Sequence, residues 1–63
     1  MMPAQDFDLR LLSAVQLALV RGQWHVTVCY GEQCYQLGEW GLYVDAYRAC
    51  SLSALEKALR KLR

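Results

Sequence analysis

The sequence holds one histidine, His25, and three cysteines, which leaves little material for catalytic or metal-binding arrangements. A cysteine–histidine nucleophile pair must lie within hydrogen-bond reach. On an extended strand, Cys29 would stand about 13 Å from His25 at roughly 3.3 Å per residue. The same span keeps His25, Cys29, Cys34 and Cys50 from converging on zinc, whose ligands lie about 2 Å from the metal. The Cys-x4-Cys spacing of Cys29 and Cys34 also lacks the tight knuckle of common zinc sites. The carboxylates Glu32, Glu39 and Asp45 are scattered, and no glycine-rich phosphate loop or nucleophile elbow is present. Neither an enzymatic activity nor a metal or cofactor is expected.

A long apolar run is also missing. The nearest approach, "LLSAVQLALV" from Leu11 to Val20, falls short of the roughly 20 residues that a membrane span requires. Asp6 and Asp8 precede it where a signal peptide would be basic, and no small-x-small cleavage site follows. The expectation is a cytoplasmic protein with reduced thiols. Linkers, repeats and low-complexity segments are absent as well, so residues 1–63 read as a single domain.

Charge is sparse and unevenly placed. The net charge is +1, but Lys57, Arg60, Lys61 and Arg63 carry four of the seven positive charges, leaving three positive and six negative elsewhere. A basic tail of this kind suits the negative end of a helix dipole and the solvent; it could also touch phosphate or an acidic partner.

Apolar side chains are abundant instead, at 56% of 63 residues. A chain this short has little interior in which to hide them. Oligomerisation or a tight partner is the expected remedy.

The pattern along the chain predicts a helix over 6–21, capped by Asp6 and stopped by Gly22. Its polar residues Asp6, Arg10, Ser13 and Gln16 form one narrow stripe, so its spare apolar flank is available for a homodimer. Period-two alternation then predicts strands over 23–30, 33–38 and 42–47, with a type II′ turn at Gly31-Glu32 and a second turn in "GEWG". A final helix over 52–62 opens on a Ser53/Glu56 capping box and lines up Leu55, Ala58, Leu59 and Leu62. The expected fold class is α+β: α-β-β-β-α, a three-stranded antiparallel sheet with both helices on one face.

The turn at Gly31-Glu32 also sets a register. Tyr30 pairs with Gln33, Cys29 with Cys34, Val28 with Tyr35, Thr27 with Gln36 and Val26 with Leu37. Because side chains alternate, Trp24, Val26, Val28, Tyr30, Tyr35 and Leu37 share a core face, joined by Leu42, Val44 and Ala46. The opposite face carries His25, Thr27, Cys29, Cys34, Gln36, Tyr43, Asp45 and Tyr47 and is the candidate partner-binding surface. Antiparallel sheets often leave one face wet, and tyrosines suit contacts that need a flat anchor with a polar tip.

The α-β-β-β-α order in about this length is similar to that of the double-stranded RNA-binding domain, a resemblance of topology only. It implies lysines at the start of the final helix meeting phosphates. Here that stretch reads "SLSALEK", with one lysine. The leading expectation is a non-enzymatic protein-binding module, which by analogy of size alone resembles phage and mobile-element inhibitors such as anti-CRISPR proteins. A nucleic-acid-binding module using the basic helix and the open sheet face is the alternative.

Overall fold

The computed structural model describes residues 7–62; the expected cap Asp6 and the terminal Arg63 lie outside them. After a short 3-10 turn at Leu9–Leu11, the chain forms β1 (Leu12–Val20), β2 (Gln23–Tyr30) and β3 (Gln33–Trp40). Two helices follow, α1 (Tyr43–Arg48) and α2 (Leu52–Leu62). The sheet is antiparallel in the order β1-β2-β3.

This order, β-β-β-α-α, overturns the expected helix over 6–21. The segment's leucines, alanines and glutamine suit a helix well, and Gly22 looks like a helix stop. The decisive feature is the pair Arg21-Gly22, whose φ angles of 53° and 81° are both positive. Two consecutive positive φ angles are the signature of a type I′ hairpin turn. Gly22 therefore reverses the chain between two strands, and Leu12–Val20 pairs along β2 from Leu12–Tyr30 to Val20–Gln23. With the leading helix gone, the likeness to the double-stranded RNA-binding domain goes too.

The expected strand over 42–47 is also corrected: "YVDAYR" forms α1. Its aromatic and β-branched residues suggest a strand, but β3 runs on through Gly38 and Glu39 to Trp40, where a turn was expected. The sheet is thus complete before Leu42. Of the three side chains assigned to the core there, only Ala46 is buried, while Leu42 and Val44 are exposed.

The hairpin between β2 and β3 keeps its expected register from Tyr30–Gln33 to Thr27–Gln36, and Gly31 has a φ of 66°. A bulge at Leu37 then shifts the ladder, so Val26 pairs with Gly38 rather than Leu37. The extra residue places Glu39 beside His25 and Trp40 beside Trp24. Trp40 folds back over Gly38, where a β-carbon would sit 2.8 Å from the indole. Only glycine permits that approach.

The core is small. Val28 and Tyr30 from β2 meet Leu55 and Leu59 from α2, with Phe7, Leu12, Tyr35 and Leu37 packed around them. Val26 and Ala46 are buried as well. α2 starts at Leu52, two residues before the start that a Ser53 cap would imply. Ser51 is the cap, its Oγ accepting from the Ala54 N–H at 3.3 Å, and Glu56 pairs with Arg60. The Leu62 side chain lies outside the description.

The entry to the sheet is fixed by a polar contact. The Asp8 N–H donates to Tyr30 Oη at 2.6 Å, while Phe7 stacks on the Tyr30 ring. The Asp8 carboxylate accepts from the Arg10 N–H at 3.0 Å and from its guanidinium. Those bonds hold the Asp8 carboxyl below the usual carboxylate range. A depressed folded-state pKa gives stability present above the unfolded value and lost as pH falls through the folded value. An NMR titration should therefore show Asp8 protonating at lower pH than it does in Arg10→Ala, with the Arg10 side-chain signals changing in step. Equal midpoints in both proteins would refute the contact.

Candidate functional site

The expected partner-binding face is split by the fold. His25, Thr27 and Cys29 on β2 and Cys34 and Gln36 on β3 do share the uncovered face of the sheet, as the ladder requires. Tyr43, Asp45 and Tyr47 do not join them. They stand on α1, and Tyr43 packs on Trp24, whose strand neighbours Val26 and Val28 point into the core. These three residues are on the helical side.

On the uncovered face, Gln36 Nε2 donates to His25 Nδ1 at 3.0 Å and approaches Glu39 Oε2 at 3.4 Å. Cys29 and Cys34 form a disulfide, with Cα atoms 3.9 Å apart. Reduced thiols were the expectation, and the structure corrects it. The cross-strand pairing that makes the bond geometrically accessible was legible; its formation was not. Cys50 remains a free thiol with its Sγ against the Ala46 carbonyl at 3.4 Å. Partial burial raises its pKa, which disfavours the reactive thiolate.

β1 supplies Ala14, Gln16, Ala18 and Val20 to the same open face, opposite Cys29, Thr27, His25 and Gln23. Its other side carries Val15, Leu17 and Leu19, paired with Val28, Val26 and Trp24. That is the helical side of the sheet, yet Leu19 is 58% exposed and Val15 36%. Leu12 packs on the core and Leu17 is half-buried, but Val15 and Leu19 of β1 are left open.

A continuous apolar margin results. Leu19 lies across from Trp24, Trp24 meets Tyr43 edge-on with ring centroids 5.0 Å apart, and Tyr43 stacks with Tyr47 at 6.1 Å. Tyr43 is 51% and Tyr47 62% exposed. Sequence reasoning missed the roles of Val15, Leu19 and Trp24 here. The overlooked signal was Arg21-Gly22 as a two-residue turn.

The basic residues divide as well. Lys57 and Lys61, one helical turn apart, line an open groove of about 390 Å³ with Leu37, Trp40, Ala49, Ala54 and Ala58. Arg60 is engaged by Glu56. Among the described residues, no group of three or more His, Cys, Asp or Glu side chains could hold a metal ion. No described helix is long and apolar enough to cross a membrane. Compared with known proteins, the chain matches no family model, no curated protein and no solved structure.

Proposed function

We propose that this chain is a non-enzymatic protein-binding module that acts by covering a face of a larger protein. The carrying observation is the margin of Leu19, Trp24, Tyr43 and Tyr47: Leu19 is the ladder partner of a half-buried Trp24, Trp24 meets Tyr43 and Tyr43 stacks with Tyr47, and Leu19 and both tyrosines are open to solvent. Tyrosine and tryptophan are the side chains that dominate binding energy at protein interfaces, because each buries a rigid surface and keeps a polar tip. An uncovered apolar patch rimmed by polar residues marks such sites. Asp45 and Arg48 on the same helix supply a polar rim.

The nucleic-acid alternative has weaker support. It needs the basic helix and the open sheet face to act together, but α2 packs on the core side, against Val28 and Tyr30. One strand could not lie on both surfaces at once. The test is capture of binding partners with the wild-type chain and with Tyr43→Ala/Tyr47→Ala, eluting with a salt gradient. A protein partner retained at high salt and lost with the double variant is the expected result. Recovery of nucleic acid alone, released by salt and dependent on Lys57 and Lys61, would reject the proposal.

A further inference from the structure

We infer that β1 pairs edge to edge with β1 of a second copy of this chain, joining two sheets into one antiparallel six-stranded sheet. A strand at a sheet edge presents unpaired N–H and C=O groups, and proteins that stay monomeric blunt such edges with lysine, proline, bulges or charge. β3, the other edge, carries Glu39 and is interrupted by the bulge at Leu37. β1 carries no charge and no proline from Leu12 to Val20. Its one irregularity is at Ser13, which leaves Ala14–Val20 in unbroken register with β2.

That regular run is self-complementary. The two-residue turn at Arg21-Gly22 makes Val20–Gln23 the first hydrogen-bonded pair, and the antiparallel ladder alternates from there. Val15, Leu17 and Leu19 consequently aim their backbone groups outward. A two-fold axis at Leu17 sets Leu17 against Leu17 of the second copy and Val15 against Leu19, using those outward groups. On the open face the same register pairs Gln16 with Ala18 and Ala14 with Val20. Every facing pair is uncharged, and Arg21 falls opposite Ser13 rather than another arginine. A second copy therefore meets no like-charge repulsion. It also places Val15, Leu17 and Leu19 beside Leu19, Leu17 and Val15 of the second copy, adding apolar neighbours to the exposed Val15 and Leu19 on the helical side of the sheet. This contact shares Leu19 with the margin proposed above, but the tyrosines of α1 lie outside it, so replacing them separates the two readings.

Sedimentation equilibrium or light scattering on the purified chain tests the dimer first. The expected mass is twice the 7.2 kDa of one chain, falling to one chain in Leu19→Lys, a site open enough for a lysine in the monomer. A monomer at high micromolar concentration would overturn the inference, as would an undiminished dimer of folded Leu19→Lys. The register is tested by cysteine cross-linking in a Cys50→Ser background. Leu17→Cys should give a disulfide-linked dimer under an added mild oxidant, each pair of thiols losing two protons and two electrons. Val20→Cys should not, since its equivalent would lie about 20 Å away along the strands. A Val20→Cys dimer without a Leu17→Cys dimer would overturn the register even if Leu19→Lys failed to fold. Tyr43→Ala/Tyr47→Ala should remain dimeric; a monomer there would place the contact on α1 instead.

Discussion

Replacing Leu55 with alanine is expected to lower the melting midpoint by about 12–24 °C, the shift that follows from a loss of about 3 kcal/mol in a domain of this size. Leu55 is 1% exposed and sits where α2 meets Val28 and Tyr30. Buried leucine-to-alanine changes cost about 2–5 kcal/mol, the lost transfer energy plus a cavity. At about 0.05–0.15 kcal/mol per residue, a chain of this length holds only about 3–9 kcal/mol in total. The core has few other members to share the load, so the change removes a large part of the whole. Leu52→Ala is the control: it lies on the same helix but is exposed, and the change should stay within about 0.5 kcal/mol. Thermal unfolding followed by circular dichroism distinguishes the two. Equal shifts would mean that α2 is not packed by its Leu55 face.

The parts of this core that were legible in the sequence are those where several local signals agreed. The stripe of Leu55 and Leu59 on α2 has helical spacing and strong helix formers. Val26, Val28 and Tyr30 alternate cleanly on β2, and Gly31 fixes the turn that follows. Local and global preferences coincide there. At β1 they conflict. Leu, Ala and Gln favour a helix, and a strand apolar on both sides shows no alternation to betray it. What made it a strand is non-local: a turn at Arg21-Gly22 and an open edge on β2 that needed a partner. Tertiary pairing outweighed intrinsic propensity, as it often does.

The candidate site was legible to the same extent. His25, Thr27, Cys29, Cys34 and Gln36 were placed on one face correctly because they belong to the hairpin whose turn could be read. Tyr43, Asp45 and Tyr47 were misplaced because period two and a short helix cannot be told apart over "LYVDAY" when most of its residues are apolar or aromatic. The bulge at Leu37 had no sequence signal except Gly38, whose need for space appears only once Trp40 is seen above it.

Reducing the Cys29–Cys34 bond should cost about 2 kcal/mol, the chain entropy that a six-residue loop restores to the unfolded state. That corresponds to a fall of about 8–16 °C in the melting midpoint, measured with and without a phosphine reductant. The effect is smaller than that of Leu55→Ala for a physical reason. The bond lies on the uncovered face, so breaking it opens no cavity and exposes no core side chain. Its particular contribution is to register. A one-residue slip of β3 against β2 would move Tyr35 to the wet face and Gln36 beneath α2, and the covalent tie between Cys29 and Cys34 forbids that slip. Cys29→Ser/Cys34→Ser should therefore melt like the reduced protein and ignore the reductant. If wild type and the double variant melt together under oxidising conditions, the bond carries no stability. The two-residue turn and the core beneath it would then be holding the hairpin in register unaided.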